Sequence, residues 1–352
     1  MKMFPYLNQK YYLILKYDLN FNEDINFIEC YKLLNTIYWN DKINNIRKID
    51  LRSTLIYWMF AGIFLFFAVL LKNDGFLQSN NILNIFRQTA TITVMAVAMT
   101  FVISAAEIDL SIGGVAGLTS VVAALMLRDH GLIQGILGGL AIGLVVGTLN
   151  GLLVSRIGIP SFLVTLGMQG VAIGFAALIT DYHPVPILND KFNTFFGSGT
   201  FGWFPGLLCW SFAAVLIGWI TLTKTTFGRR VLATGGNRDA AEFNGINTKN
   251  VKFKVMLISS VVASIAGLLY AGRLQTGRYE WGAGDELSAI AAVILGGTSL
   301  FGGSGTIVGT FFGALLVGLI NNGLILAGLP VSQQQIIRGA IIILAVALAK
   351  KK

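Results

Sequence analysis

The chain has little charge and little that could build a metal site or a disulfide framework. Only 12% of its 352 residues are charged, about half the share usual in soluble globular proteins. Its two cysteines, Cys30 and Cys209, and two histidines, His130 and His183, stand far apart, without the spacing of metal ligands. No phosphate-binding loop and no Ser-His-acid set is visible. We expect no metal, no cofactor and no catalytic residue in this chain, which argues against a membrane-embedded hydrolase.

Apolar sequence is what the chain has in abundance. Hydrophobic residues make up 55%, mean hydropathy is +0.70, and 41 glycines would let helices approach closely. Runs of about 20 apolar residues, enough to cross a bilayer, predict an all-α polytopic membrane protein of about ten helices. The predicted spans are 55–71, 89–104, 111–127, 132–154, 162–179, 206–222, 253–271, 287–300, 307–326 and 335–349.

Two of these spans are expected to be broken or re-entrant. The windows before Asp109 and before Ser304 are short and rich in glycine. Irregular backbone at membrane depth is tolerated only where protein or a water-filled cavity surrounds it. The breaks therefore predict a buried or water-lined interior.

Residues 1–52 differ in composition from the predicted membrane domain, 53–352. They are rich in Asn and aromatic residues, carry charges of both signs, and contain no signal-peptide pattern. We expect a cytoplasmic extension that is poorly ordered or loosely helical. A regulatory contact with a partner and a non-native upstream start are the alternatives.

The positive charges predict the orientation. With ten spans both termini lie on one side, and a cytoplasmic N-terminus places 19 of the 26 lysines and arginines inside and 7 outside. Cytoplasmic loops carry the excess of Lys and Arg. The net charge of +9 is thereby explained as a topology signal, which argues against nucleic-acid binding.

Two stretches suggest an inverted repeat. Residues 147–154 (GTLNGLLV) resemble 309–317 (GTFFGALLV), and each is followed by a Gly-x-Pro turn, at 158–160 and 328–330. In the predicted topology the two copies run in opposite directions, as in transporters that alternate access around a midplane path. Since Gly-Thr pairs are common, a chance match is the alternative.

The stretch 224–254 is the one long, polar, strongly basic segment inside the chain. A short helix is expected within it, with Asn237 or Asp239 capping its start and Gly245 ending it. The pair Ala240–Ala241 would give a thin face that another protein could approach closely. A solvated loop that contacts anionic lipid is the alternative.

Several ordered motifs together identify a family. The chain resembles the permease subunits of ribose-type ABC importers, which include xylose, galactose and autoinducer-2 permeases, from about Asn80 to Lys352. The motifs are Ile108-Asp109-Leu110-Ser111-Ile112-Gly113, Ile159-Pro160-Ser161-Phe162 with Thr165-Leu166-Gly167-Met168, the 227–247 segment, and 289–300 (AIAAVILGGTSL). The chain departs from the family pattern at Ala106-Glu107, where Gly-Gly or Ser-Gly is frequent, and at Ser288, where Asp is usual.

The resemblance implies a role and a set of partners. Such permeases sit in the bacterial inner membrane as homodimers or with a paralogous permease, dock a periplasmic or lipid-anchored sugar-binding protein outside, and bind ATPase subunits inside. ATP and Mg²⁺ are held by those ATPases. A monosaccharide is the expected cargo, ribose-like first; autoinducer-2, another small polar solute, or an ion-driven carrier mechanism is the alternative. The implied ATPase-coupling residues are Gly228, Arg229, Asn237, Ala240, Ala241, Glu242, Gly245 and Ile246.

Polar residues within or beside the spans are candidates for the translocation path or its gate. Asp109, with Glu107, lies at a predicted membrane boundary, where it would cap the helix that begins at Ser111 or act as a gate. Glu286 is its counterpart in the second half and would cap the helix there.

Two further groups of residues are candidates for contacts with cargo or partner. Asn321 and Asn322 would hydrogen-bond a neighbouring helix or a passing sugar. An external aromatic group would form an interfacial belt or dock the binding protein, with Phe201 and Trp203 as the docking candidates. This group comprises Phe195, Phe196, Phe201, Trp203 and Phe204.

Overall fold

The structure, a computed structural model, describes residues 51–202 and 204–348. The extension predicted over 1–52 lies outside these residues, apart from the last two, which begin the first helix. In chain order the elements are α1 (Leu51–Leu70), α2 (Ser79–Ser104), α3 (Ile112–His130), α4 (Leu132–Leu152), a π turn (Leu153–Ile157), α5 (Ser161–Thr180), β1 (Val185–Pro186), α6 (Asp190–Asn193), a second π turn (Thr194–Ser198), β2 (Thr200–Phe201), β3 (Phe204–Pro205), α7 (Gly206–Lys224), α8 (Thr226–Gly236), α9 (Arg238–Phe243), α10 (Thr248–Leu274), β4 (Thr276–Gly277), α11 (Asp285–Leu295), α12 (Ile307–Leu326) and α13 (Val331–Leu348).

The all-α polytopic prediction is confirmed. In the described ranges, seven helices are long and apolar enough to cross a membrane, namely α2, α3, α4 with its π turn, α5, α7, α10 and α12, and Ile56–Leu70 is a shorter apolar helix. Together with α11 and α13 they correspond to the ten predicted spans. At 1.5 Å per residue, the 11 residues of α11 extend about 16 Å, half the hydrocarbon thickness. This helix is therefore too short to cross the hydrocarbon core, and it ends at Leu295, before the glycine-rich stretch that precedes Ser304.

The long helices α2 and α10 form the centre of the bundle. Helix α10 packs against α2, α3 and α4, and α2 packs in turn against α11 and α12. In the 18-residue apolar stretch of α2, 83% of the residues are buried in the protein, whereas the corresponding share is 28% in α4 and in α5. Outer helices that stay apolar on their exposed side have hydrocarbon rather than water as their surroundings.

The connections gather at two opposite ends of the bundle. We call the end that carries residues 225–247 the loop end; there the Gly303 amide donates to the Ser104 carbonyl at 3.0 Å. At the other, far end, β1 pairs with β4 through Val185 and Gly277. Helix α2 finishes at the loop end and α10 begins there, so the two helices run in opposite directions.

The inverted repeat is visible in the helix order, but its register differs from the predicted one. Helices α2–α5 and α10–α13 each comprise a long helix, a break, two helices, a Gly-x-Pro turn and a final helix. Gly147 of α4 lies against α10, and Gly318 of α12 lies against α2. The equivalent residues are thus Gly147 and Gly318, 11 and 10 residues before the turn glycines, Gly158 and Gly328.

The predicted partner of Gly147 was wrong for a physical reason. Gly313 faces Ala292 of α11, and Gly309 faces Gly296 just beyond the end of α11, instead of the long central helix. A Gly-Thr pair marks close helix packing but does not say which neighbour is packed. The shared Val-Gly-x-x-Asn pattern, ending at Asn150 and Asn321, gives the correct register.

Candidate functional site: the polar segment and two helix breaks

The polar segment, residues 225–247, begins with a sharp turn out of α7. The Thr225 hydroxyl oxygen accepts a hydrogen bond from the Gly228 amide at 3.2 Å and so caps α8. Any side chain at position 228 would overlap the Leu222 carbonyl of the preceding helix. Gly228 is therefore needed for this tight turn, while Arg229 beside it is exposed.

Helix α9 is closed at both ends by local hydrogen bonds. Asn237 Oδ1 accepts from the Ala240 amide at 3.0 Å, so Asn237 rather than Asp239 is the N-cap. Gly245 has φ +77 and its amide donates to the Glu242 carbonyl at 2.9 Å, which ends the helix as predicted. Asn247 then caps α10.

The exposed face of α9 differs from the predicted one. Ala241 is only 4% exposed and packs inward, whereas Ala240 is exposed and Phe243 is 92% exposed. Consecutive residues point about 100° apart on a helix, so the Ala pair cannot share one face. A surface cavity of about 340 Å³ adjoins this face and is lined by Glu242, Gly245, Ile246, Asn247, Thr248 and Lys249.

Glu242 bonds both the start of its own helix α9 and the start of the next helix, α10. Its carboxylate accepts hydrogen bonds from the Thr248 hydroxyl at the start of α10 and from Arg238 Nε, the latter at 3.0 Å. The Thr248 bond, followed by the Arg238 bond, lowers the pKa of Glu242 below its ordinary value. The side chain is therefore charged at neutral pH and joins α9 to α10.

The polar segment also touches the bundle at the end of α2. A methyl group on Gly235 would overlap the Ser104 carbonyl, the group to which Gly303 donates. Gly236 has space by comparison, since a methyl group there would lie 3.5 Å from Gly303 Cα. Close backbone contact thus fixes the last turn of α8 against the end of α2.

The first break, residues 105–111, follows α2 directly. It begins with Ala106 in the left-handed region at φ 60, a conformation that favours glycine. Two of its backbone amides are satisfied by α5, because Ile108 donates to Ser161 Oγ at 3.1 Å and Leu110 donates to Thr165 Oγ1 at 3.0 Å. Sequence reasoning did not assign these two roles, although polar residues four apart in an apolar span were the available signal.

Asp109 lies at the centre of the first break and is fully buried. Its Oδ1 accepts from the Ser111 amide at 2.9 Å and from the Ser111 hydroxyl at 2.6 Å. Asn150 of α4 donates to the same hydroxyl at 3.0 Å. Asp109 Oδ2 and Asn150 Oδ1 are buried without a protein hydrogen-bond partner. The carboxylate thus bonds the start of α3 and is enclosed by protein.

The second break, residues 275–284, precedes α11 near the far end. Its last residue, Gly284 at φ +83, occupies the N-cap position, so the expectation that Glu286 caps this helix is wrong. Glu286 Oε1 instead accepts from Gln169 Nε2 at 2.8 Å, and its buried Oε2 faces Gly113 without a hydrogen-bond partner. Glu286 therefore lies beside the first turn of α3.

The two asparagines of α12 differ in their contacts. Asn322 exchanges hydrogen bonds with Asn81 of α2 at 3.0 and 3.1 Å, which is the helix–helix role. Asn321, the equivalent of Asn150 in the repeat, has a buried Oδ1 without a partner. Of the two, Asn321 is the one whose carbonyl oxygen is buried without a hydrogen-bond partner.

The far-end aromatic group divides between core and surface. Phe196 is 4% exposed and stacks on Trp210 with ring centroids 5.5 Å apart, whereas Phe195 and Phe204 are 57% and 63% exposed. Phe201 pairs with Phe204 in a tight hairpin. The Phe201 side chain and the whole of Trp203 lie outside the described residues, so their predicted docking role stays a prediction.

Comparison with known proteins identifies a single family. The sequence model described as "Branched-chain amino acid transport system / permease component" matches residues 81–346. The ribose import permease of Bacillus subtilis (strain 168) is 39% identical over 296 residues, 83% of this chain and 92% of that protein. The D-allose transport system permease of Escherichia coli (strain K12) is 35% identical over 301 residues, 83% and 92% respectively. The L-arabinose ABC transporter permease of Azospirillum brasilense is 35% identical over 292 residues, 81% and 86% respectively. No solved structure matches the chain.

Proposed function

The chain belongs to the branched-chain amino acid transport system permease family, and we propose that it forms the membrane path of an ATP-driven importer for a monosaccharide. The three relatives described above are named for ribose, allose and arabinose, all monosaccharides. A ribose-like sugar is our first choice of cargo, since the ribose permease shares 39% identity across nearly its full length. Autoinducer-2 or another small polar solute is the alternative.

The polar segment carries the structural side of the proposal. Its helix α9 is capped at both ends, is bonded to α10, and exposes Phe243 almost completely. A large aromatic side chain that is almost fully exposed at a polar surface is typical of a protein-binding site. We infer that this face docks an ATPase subunit, which binds ATP and Mg²⁺ in place of this chain.

The orientation follows from the same segment. If the loop end faces the cytoplasm, its basic residues satisfy the positive-inside rule and α9 meets the compartment that supplies ATP. The far end then faces outward, where the exposed Phe195 and Phe204 would contact a sugar-binding protein. A second copy of the chain or a paralogous permease would complete the path.

The two breaks are where we place the path itself. Four polar residues lie in or near the breaks or at repeat-related positions, namely Asp109, Ser111, Asn321 and Glu286. Three of these, Asp109, Asn321 and Glu286, carry a buried oxygen without a protein hydrogen-bond partner. Such oxygens are costly unless a hydrogen-bond donor reaches them. Water or sugar hydroxyls passing along the path would supply those donors.

The test is ATP-dependent uptake by the complete assembly in sealed vesicles. We expect labelled ribose to accumulate with ATP present and to stop accumulating when ATP is removed, whether or not an ionophore is added. Uptake that persists without ATP and collapses with the ion gradient would instead identify an ion-driven carrier.

A surface substitution tests the docking face separately. Ala240→Arg should reduce ATPase co-purification tenfold or more, because a bulky side chain on an exposed, well-packed contact prevents close approach. Ala240→Ser is the matched control and should retain the ATPase. Ala241→Arg and Gly245→Glu are poorer tests, since Ala241 is buried and Gly245 has positive φ. Retention of the ATPase by Ala240→Arg would exclude this face.

A further inference from the structure

Glu107 and Lys252 form an ion pair at the loop end that joins the two halves of the bundle. Glu107 belongs to the first break, whereas Lys252 belongs to α10, the first long helix of the second half. The two side chains are only 8% and 20% exposed. A pair so shielded from water is screened less by salt than a surface pair and depends more on both partners being present.

The pair lies one helical turn from the polar segment. Lys252 follows Thr248 by four residues on α10, so both side chains are on one face of that helix. Thr248 donates to Glu242 of α9, and Lys252 contacts Glu107. Helix α9 is therefore connected to the first break through a single turn of α10.

The first break in turn holds the start of α3. Asp109, two residues beyond Glu107, accepts two hydrogen bonds from Ser111, and Ser111 accepts one from Asn150. The route from α9 to α3 thus alternates side-chain bonds with short stretches of fixed backbone, namely one turn of α10 and two residues of the first break. A displacement of α9 would thus reach residues next to the proposed path without passing through loosely packed loop.

We propose that Glu107 and Lys252 are positioning residues that make the polar segment and the first break move as one body during transport. This inference rests on the proposed importer function. Such coupling between two sites is worth about 5- to 150-fold in the quantity measured. A static brace, which only stabilises the fold, is the competing explanation.

The experiment is the number of sugar molecules imported per ATP hydrolysed by the reconstituted assembly. Glu107→Gln and Lys252→Gln should each lower this ratio about fivefold or more while ATP hydrolysis continues, because α9 still docks but no longer moves the break. The exchange of both residues, Glu107→Lys with Lys252→Glu, should restore the ratio to within about twofold, since the pair is re-formed. Arg128→Gln, which removes an exposed ion pair with Asp129, is the control and should leave the ratio unchanged.

A static brace predicts a different result. Single variants would then lose folded protein or melting temperature, while the ratio per folded assembly stayed at the wild-type value. That outcome, or an exchange variant as poor as the single variants, overturns the proposal.

A covalent link gives a second, independent measurement. Cysteines placed at positions 107 and 252, in a background without Cys30 and Cys209, should uncouple transport when reduced and recover it when joined by a short crosslinker. Arrest of transport on crosslinking would mean that the two positions separate in each cycle and would overturn the proposal. Absence of ATP-dependent uptake by the wild-type assembly would instead reject the proposed function, so the two failures are distinguishable.

Discussion

The two helix breaks differ in what holds them in place. The first break, at 105–111, is bonded by side chains of other helices, namely Ser161 and Thr165 of α5 and Lys252 of α10. The second break, at 275–284, is held by the pairing of β4 with β1 and by the close approach of Gly282 to Gly113. One side chain of α3 also holds it, because the Ser120 hydroxyl accepts from the Arg278 amide and donates to the Arg278 carbonyl.

This difference shows how an inverted repeat can serve a directional process. If the two halves had the same helix order and the same attachments, a partner bound at either end of the bundle would act on both breaks alike. Here the polar segment is attached to the first break and lies at the opposite end from β1 and β4. We infer that the proposed ATPase partner acts on the first break, whereas the second break responds to events at the far end.

The largest expected effect comes from separating the polar segment from the bundle at Gly235. Gly235→Ala places a methyl group on the Ser104 carbonyl, and relieving such overlap costs about 1–3 kcal/mol in shifted backbone. We expect ATP-driven uptake to fall tenfold or more, measured in vesicles at equal protein content.

The neighbouring glycine is the matched control. Gly236→Ala lies in the same turn of α8 but meets its nearest neighbour at 3.5 Å, an ordinary contact distance, so uptake should stay within about twofold of wild type. Equal losses in both variants would show that α8 tolerates no side chain for reasons unrelated to its contact with α2.

The sequence predicts structure correctly where a local feature, such as a membrane span or a helix end, depends on a local residue pattern. Apolar runs of bilayer length predicted the spans, and Asn237 and Gly245 predicted the ends of α9, because each signal is local. The burial of Ala241 could not be predicted, since it depends on how a six-residue helix sits on its neighbours. The pairing of Glu107 with Lys252 likewise follows from tertiary structure alone.

Two features that the sequence does contain, the register of the repeat and the polar stripe on α5, are not part of the sequence prediction. The repeat register is present in the Val-Gly-x-x-Asn pattern ending at Asn150 and Asn321, whereas the commoner Gly-Thr pair indicates a different register, which is wrong. The polar stripe on α5, Ser161, Thr165 and Gln169, has a spacing of four. Its first two members bond the first break, and Gln169 bonds Glu286 of α11. A polar face on an apolar helix signals buried backbone or carboxylate to be satisfied.

A second prediction tests whether the first break depends on α5. Thr165→Val keeps the shape of the side chain but leaves the Leu110 amide, to which Thr165 offers its oxygen, without an acceptor. An unsatisfied polar group of this kind costs about 1–3 kcal/mol, and we expect a melting temperature lower by several degrees together with reduced uptake. Thr148→Val, which removes only a bond to the carbonyl of Leu144 in its own helix, should change neither. A stable, active Thr165→Val variant would mean that the break is held by its other contacts.

The smallest expected effect concerns the pH dependence of α9. Because the pKa of Glu242 is lowered by Thr248 and Arg238, the stability that its charged form contributes is fully present above the unfolded-state pKa. That contribution is lost as pH falls through the folded-state pKa. Amide hydrogen exchange of residues 240–243, corrected for the intrinsic rate, should therefore show α9 opening more readily in acid in the wild type. Glu242→Gln should open more readily at neutral pH and converge with the wild type in acid, whereas Asp239→Asn should keep the wild-type trend. Parallel pH profiles for wild type and Glu242→Gln would place the stability of α9 in its caps alone.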